Sequence, residues 1–149
     1  MSQKQIEFGG IQLTVPDSWY DITDEVEAAD KPYTLAKPEE GVGALQFSPA
    51  FYQGGVVPNP SEGDLRNMLL QFRQRRGLGE AFDGSTFAKK PLVGAGMSFH
   101  SGEDFIRVWY VSDGRNLALI TYVCAWGKQE SELASCEEIV KSLQFLPAS

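Results

Sequence analysis

Apolar and polar residues alternate in short stretches through the first third of the chain. The clearest stretch is 11–15, Ile-Gln-Leu-Thr-Val, which Pro16 ends, and this period of two is typical of a half-buried strand. Gly9-Gly10 permits a tight turn from an earlier strand over about residues 5–8. Further short strands are predicted over residues 19–22, 33–36 and 43–48. This part of the chain is therefore predicted to be a series of strands joined by turns.

The pattern changes to a helical one over residues 61–76. Apolar residues at i, i+3, i+4 and i+7 form one stripe, which consists of Leu65, Met68, Leu69 and Phe72. Ser61 and Asp64 have the spacing of a capping box, and three arginines near the end suit the helix dipole. Gly77 is a typical stop signal. The sequence therefore predicts an amphipathic helix with both ends defined.

Two long β-rich runs, 104–111 and 116–124, follow a glycine-broken strand over 91–100. Asp113-Gly114 between them indicates a two-residue type I′ hairpin, in which Val108 would face Leu119. One face of the hairpin would carry Ile106, Val108, Tyr110, Leu117, Leu119 and Thr121. The other would carry Phe105, Arg107, Trp109, Ala118, Ile120 and Tyr122. Because both faces are rich in large apolar groups, the hairpin is predicted to lie centrally in a covered sheet or to leave one face for a partner.

A second amphipathic helix is predicted over residues 129–143. Its apolar stripe consists of Leu133, Cys136, Ile139, Val140 and Leu143. The length of 149 residues suits one domain, so we predict a single domain over residues 1–149. We expect its core to include Leu69, Phe72, Val108, Leu119, Ile139 and Leu143.

The order of these elements resembles the Mog1/PsbP-like superfamily, which includes the DcrB-like small bacterial proteins. The resemblance is carried by residues 11–19, by the hairpin segments 105–111 and 118–122, and by the closing segment 136–143. It implies an α+β fold, an α/β/α sandwich whose mainly antiparallel sheet is flanked by helices. It also implies mostly non-catalytic relatives, such as photosystem subunits, a Ran-binding factor and accessory proteins of bacterial secretion systems. It implies no site residues.

The net charge of −7 is distributed unevenly. Because an acidic chain repels phosphate backbones and anionic lipids, we expect neither nucleic acid nor membrane as a partner. The acids concentrate in one segment without an intervening base: Asp17, Asp21, Asp24, Glu25, Glu27 and Asp30. This segment is either a solvated loop or a patch that steers a partner with a basic surface.

The uncharged segment 48–60 is typical of neither helix nor strand. It contains three prolines, Gly54-Gly55, and the aromatic residues Phe51 and Tyr52. Long loops of this kind are often functional, but we favour the interpretation that these aromatics fold back onto the core over the alternative that they form a contact surface. With Trp109 of the hairpin, Phe51 and Tyr52 are candidate anchors for a partner.

No arrangement of residues in the sequence is typical of an enzyme. Ser98 and His100 could share a strand face, but no serine lies in a Gly-x-Ser-x-Gly motif, so a surface histidine is favoured over a hydrolase. Cys124 and Cys136 are expected to be buried free thiols rather than a disulfide. We predict no cofactor and no metal site. The N-terminal residues lack the apolar run of a secretory signal, which predicts a cytoplasmic protein.

These observations favour a non-enzymatic protein-binding module. A bacterial immunity protein or a chaperone-like accessory protein that binds a basic partner would fit. The alternative is a small-molecule-binding protein with an apolar cleft under the 48–60 loop, which a deep closed cavity would favour.

Overall fold

Two antiparallel sheets form the framework of the computed structural model, which describes residues 2–25, 32–39 and 41–147. In the smaller sheet, β2 (Ile11–Pro16) lies between β1 (Gln3–Phe8) and β10 (Gln144–Phe145). The larger sheet has the order β3-β4-β5-β9-β8-β7-β6. Its strands are β3 (Tyr20–Asp21), β4 (Tyr33–Ala36), β5 (Gly43–Ala50), β6 (Phe82–Lys89), β7 (Leu92–Ser101), β8 (Asp104–Ser112) and β9 (Leu117–Ala125).

Both faces of the larger sheet are covered around the central hairpin. Helix α1 (Glu62–Arg76) packs on one face, where Leu65, Leu69 and Phe72 bury against a cluster that includes Val108 and Tyr110. Helix α2 (Leu133–Lys141) and the smaller sheet pack on the other face, with Trp109, Ile120 and Tyr122 in a second cluster. The predicted α+β fold with a mainly antiparallel sheet and two helices is therefore confirmed.

The β8–β9 hairpin has the predicted faces but a different register. Tyr110 pairs with Leu119 and Val108 pairs with Thr121, so the prediction that Val108 faces Leu119 is wrong. The turn contains four residues, 113–116, because the Asp113 carboxylate accepts hydrogen bonds from the backbone N–H groups of Arg115 (3.0 Å) and Asn116 (2.7 Å). The register moves by two residues, which leaves every side chain on its predicted face since strand side chains alternate with period two.

Helix α1 begins and ends as its capping signals predict. Ser61 Oγ accepts a hydrogen bond from the Asp64 N–H at 3.1 Å, and Asp64 Oδ2 accepts one from the Ser61 N–H at 2.9 Å. Gly77 ends the helix in the left-handed conformation with φ of 62°. Each end is defined by residues that lie within four positions of one another in the sequence.

Helix α2 is shorter than predicted. Residues Gln129–Ser131 form a 3₁₀ turn, and Glu132 has a non-helical φ of −126°, so the α-helix begins only at Leu133. The side chain of Glu132 is buried in the protein and is 1% exposed.

Five of the six predicted core residues are buried, and Leu119 is partly buried against the α1 side of the core. Strands β6 and β10 were not predicted. Most of β6 is exposed and β10 has two residues, so neither shows apolar alternation. Among the described helices, none is long and apolar enough to cross a membrane.

Candidate functional site

The described acids of segment 17–30 lie at the β3 edge of the larger sheet. Asp17, Asp21, Asp24 and Glu25 are all exposed, whereas Glu27 and Asp30 lie outside the described residues. Asp21 Oδ1 accepts hydrogen bonds from the N–H (2.9 Å) and the hydroxyl (2.6 Å) of Thr23, which orders the turn. The carboxylates of Asp17, Asp21 and Glu25 form no ion pair within the described residues.

A lysine from another strand stands beside this acidic edge. The Lys4 ammonium donates to the Asp17 carbonyl oxygen at 3.0 Å and lies 3.6 Å from the centre of the Tyr20 ring. Because Lys4 contacts a carbonyl and a ring, it leaves the carboxylates themselves exposed. The edge is thus an acidic surface in three dimensions, although a base that is distant in sequence lies next to it.

Phe51 caps the core and shapes the start of the loop. Its half-buried ring packs against the main cluster and lies edge-on to Phe145, with centroids 6.3 Å apart. A Cβ at Gly10 would lie 2.5 Å from Phe51 Cζ, so the glycine makes this close approach possible. The interpretation that loop aromatics fold back onto the core is therefore confirmed for Phe51.

Tyr52 holds the loop against the β8–β9 turn and keeps part of its ring at the surface. Its N–H donates to Asn116 Oδ1 at 2.8 Å, and its hydroxyl donates to the Gly55 carbonyl. The guanidinium of Arg115 lies 5.7 Å from its ring centre. Further along the loop, the Asn59 N–H donates to the Gly114 carbonyl at 2.8 Å. Two hydrogen bonds, one from Tyr52 and one from Asn59, thus hold the loop against the β8–β9 turn.

Trp109 is not at the surface. Its side chain is 0% exposed, and its indole N–H donates to Glu137 Oε1 at 3.3 Å. The prediction that Trp109 anchors a partner is wrong, because α2 covers the face of the hairpin on which it lies.

Two adjoining open grooves run along the end of the molecule that the loop borders. The first, which we call the loop groove, has a volume of about 890 Å³, and its walls include Phe51, Tyr52, Arg115 and Leu146. The second, which we call the lysine groove, has a volume of about 330 Å³, and its walls include Lys89, Lys90, Lys141 and Leu143. Asp113 and Phe145 line both. These grooves form the candidate site, and both are open rather than closed.

A buried carboxylate connects α2 to the larger sheet. Glu132 Oε1 accepts hydrogen bonds from the Tyr122 hydroxyl at 2.7 Å and from the Gly43 N–H at 3.1 Å, and Oε2 lies 3.8 Å from the Lys37 ammonium. Burial is the largest cause, and the hydrogen bond to Glu132 the second largest, of a pKa of Tyr122 far above its ordinary value. The phenol therefore stays protonated and acts as a donor.

A buried arginine organises the β6 side of the sheet. Arg107 Nε donates to Glu137 at 2.7 Å, and its two Nη atoms donate to Ser98 Oγ (2.9 Å) and Ser85 Oγ (2.8 Å). The Ser98 hydroxyl is thus a partner of Arg107, while the exposed His100 ring stacks on Trp126 with centroids 3.8 Å apart. These contacts give Ser98 a structural role and agree with the expectation that His100 lies at the surface.

Cys124 and Cys136 are free and buried, as expected. Burial is the main cause of the raised pKa of both thiols, and the Glu132 carboxylate raises the pKa of each further. A thiol held neutral in this way is a poor nucleophile. The part of the chain that the structure describes contains no group of three or more His, Cys, Asp or Glu residues able to hold a metal ion.

Sequence reasoning found Phe51 and Tyr52 but missed the lysines and Phe145 of the candidate site. Lys89 is the last residue of β6, a strand that has no apolar alternation, and Lys90 follows it. Phe145 lies in a strand of two residues. The adjacent pair Lys89-Lys90 was the one sign of a basic site in the sequence. Nothing near this pair indicated that Lys141 lines the same groove.

Comparison with known proteins identifies the fold. No protein-family model and no curated protein matches the sequence. Among solved structures, cyanobacterial PsbP from Synechocystis sp. PCC 6803 has a TM-score of 0.65 and 11% identity, over 97% of this chain and 92% of that one. LpqN of Mycobacterium tuberculosis, which is involved in cell envelope biogenesis, has a TM-score of 0.61 and 15% identity, over 98% of this chain and 91% of that one.

A Bacteroides thetaiotaomicron protein is also similar, with a TM-score of 0.64 and 14% identity. The match covers 99% of this chain but 50% of that one, so the chain spans half the length of this relative. Together the three structures confirm the Mog1/PsbP-like fold that the element order predicted. At these identities the similarity shows the fold alone.

Proposed function

We propose that this chain is a non-enzymatic protein-binding module that takes its partner in the loop groove. The observation that carries the proposal is the shape of this groove. It is open, has a volume of about 890 Å³, and has the aromatic rings of Phe51, Tyr52 and Phe145 in its walls. Aromatic side chains in such walls are typical anchors of protein interfaces.

The open shape favours a polypeptide over a small molecule. Small ligands usually bind in concave pockets that bury most of their surface, and a deep closed cavity under the loop would have favoured the alternative function. The loop groove instead runs along the surface beside a loop that two hydrogen bonds hold in place. A prearranged groove lowers the entropy lost on binding.

The acidic edge supports a partner with a basic surface. Asp17, Asp21 and Glu25 are exposed and form no ion pair within the described residues, so their carboxylates create a negative potential. Such a potential raises the rate at which a cationic protein approaches. An immunity protein or a chaperone-like accessory protein of the cytoplasm is the kind of module we propose. The PsbP-like fold agrees with such an accessory role.

A comparison of captured proteins tests the groove. We expect the wild-type chain to retain a specific protein from its host, and the variant Tyr52→Ala/Arg115→Ala to lose it. These substitutions remove groove walls but keep the Tyr52 N–H that binds Asn116. Leu70→Ala is the matched control, since Leu70 is exposed on α1 away from the groove. A partner retained equally by all three chains would refute the proposed site, provided that their circular dichroism and melting temperatures agree.

A further inference from the structure

We propose that the lysine groove is a strand-addition site for an extended, acidic segment of the partner. This inference rests on the proposed function and deepens it by naming the chemistry of the segment that is bound. The segment would pair with the free edge of β10 and place its carboxylates beside the lysines of the groove.

The first observation is the backbone of Phe145. Strand β10 is at the edge of the smaller sheet, and it pairs only with β2 among the described strands. The Leu146 N–H donates to the Gly10 carbonyl at 2.8 Å, and Gln144 pairs with Gln12. Because hydrogen-bonded residues alternate in an antiparallel ladder, the N–H and C=O of Phe145 point away from β2.

The second observation is where this free edge lies. Phe145 lines both the lysine groove and the loop groove, so the edge residue of β10 lies where the two grooves adjoin. An extended chain that adds to a sheet edge gains main-chain hydrogen bonds, and pockets on either side select its side chains. The grooves provide such space on both sides of Phe145.

The third observation is charge. Lys89 and Lys90 at the end of the β6–β7 hairpin and Lys141 at the end of α2 line the lysine groove, and none forms an ion pair with a described carboxylate. Asp113 is the acid in the same wall, but its oxygens already accept hydrogen bonds from Arg115 and Asn116. In a chain of net charge −7, this is a local basic site, which selects a segment that carries acids.

Strand β6, a longer strand at one edge of the larger sheet, is less suited to strand addition. Its pairing with β7 shifts between Phe82 and Ser85, and Asp83 there has a positive φ of 52°. Bulges of this kind twist an edge away from further strands. Both residues of β10 pair with β2 without a shift in register.

Fluorescence anisotropy with a labelled peptide tests the proposal. The probe is a peptide of about six residues, the usual length of a strand, in which glutamate and valine alternate. In an extended conformation, all the glutamate side chains then lie on one face of the peptide and all the valine side chains on the other. We expect saturable binding to the wild-type chain and no binding of the matched lysine–valine peptide. Absence of saturable binding by the glutamate–valine peptide would overturn the proposal.

Two controls separate strand pairing from general charge attraction. Lys89→Gln/Lys90→Gln should weaken binding about tenfold, whereas Arg75→Gln/Lys128→Gln removes the same charge at exposed positions elsewhere and should leave it unchanged. Two further peptides carry N-methyl groups at the odd or at the even residues and retain the charge. Since only alternate N–H groups of an added strand face β10, at least one of these peptides should bind more weakly. Equal effects of the two double variants, or binding of both methylated peptides as tight as that of the parent peptide, would refute the proposal.

The same variants distinguish this inference from the proposed function. If the host partner is lost from Tyr52→Ala/Arg115→Ala but binds Lys89→Gln/Lys90→Gln as tightly as the wild type, the lysine groove is not used and the proposed function stands. If the partner binds both variants as the wild type does, the proposed function fails.

Discussion

At the residue scale, the interior combines apolar packing with fully paired polar groups. Glu132 and Arg107 are 1% and 2% exposed, and every buried side-chain nitrogen and oxygen in the described part of the chain has a hydrogen-bond partner. A buried polar group that lacks a partner costs about 1–3 kcal/mol, so these pairs make a charged interior compatible with a stable fold.

Leu143 tests the packing where α2 leads into β10. The side chain is 1% exposed and lies in the main cluster. Leu143→Ala should lower the free energy of unfolding by about 2–5 kcal/mol, because it removes buried methyl groups and leaves a cavity. Urea denaturation measures the loss. Leu70→Ala, at an exposed position, should change stability by no more than about 0.5 kcal/mol. A similarly small effect at Leu143 would contradict the assigned packing.

The buried thiols predict a loss of stability at alkaline pH. The ordinary pKa of cysteine is 9.0, and burial raises the pKa of Cys136 well above it. Below about pH 9 both the folded and unfolded states hold this proton, whereas above it only the folded state does. The free energy of unfolding should therefore fall as pH rises, by up to about 1.4 kcal/mol per pH unit from this thiol.

Urea denaturation between about pH 8.5 and about pH 10, with a reductant present, measures this slope. Cys136→Ala should give a shallower slope than the wild type, even if it lowers stability at every pH. Leu143→Ala is a control, since it also disturbs the core but removes no titrating group. Identical slopes for Cys136→Ala and the wild type would show that this thiol does not contribute.

At the element scale, the sequence predicts the bounds of a helix correctly where the residues that fix them are close together in the chain. The α1 cap consists of two reciprocal hydrogen bonds between Ser61 and Asp64, three residues apart. The start of α2 depends instead on Glu132, whose partners Val42 and Gly43 lie 90 and 89 residues away. This is why the bounds of α1 were predicted well and those of α2 were not.

The α1 cap predicts a measurable contribution from one hydroxyl. Ser61→Ala should lower the free energy of unfolding by about 0.5–2 kcal/mol, because the Asp64 N–H loses its acceptor. Ser61→Asp retains a side-chain acceptor and should keep most of the stability. Thermal or urea unfolding of the wild type and the two variants measures these differences in stability. A Ser61→Ala variant as stable as the wild type would contradict the role of the cap.

At the scale of the whole molecule, acidic and basic surfaces occupy different elements. The exposed acids lie at the β3 edge, whereas the basic groove is formed by the β6–β7 turn and by the end of α2 with β10. In the proposals above, the acidic edge attracts a basic partner and the lysine groove holds an acidic segment of that partner.

The acidic edge predicts a salt-dependent association rate. Once the partner is known, Asp21→Asn/Asp24→Asn/Glu25→Gln/Glu27→Gln should slow association several-fold at low salt. The difference should shrink near 0.1 M salt, where the screening length is about 10 Å. Stopped-flow mixing at both ionic strengths measures these rates.

A matched variant removes four exposed acids elsewhere: Glu80→Gln, Glu103→Gln, Glu130→Gln and Glu138→Gln. It has the same net charge as the first variant, so any difference between the two reports the position of the acids. Rates that are equal for the wild type and the first variant at both ionic strengths would mean that segment 17–30 is only a solvated loop.

The sequence by itself determined the features that depend on neighbouring residues. Alternation located β2, β8 and β9, the capping box located the start of α1, and period two assigned both faces of the hairpin even though its register was wrong. Only the tertiary structure decided the burial of Trp109 and the position of Glu132. It also decided the loop groove, which Phe51, Tyr52 and Phe145 line, and the lysine groove, which Phe145, Lys89 and Lys90 line. The physical reason is that helix and strand patterns arise from contacts a few residues apart, whereas a groove is formed by segments distant in the chain, whose approach leaves no periodic trace in the residues around each of them.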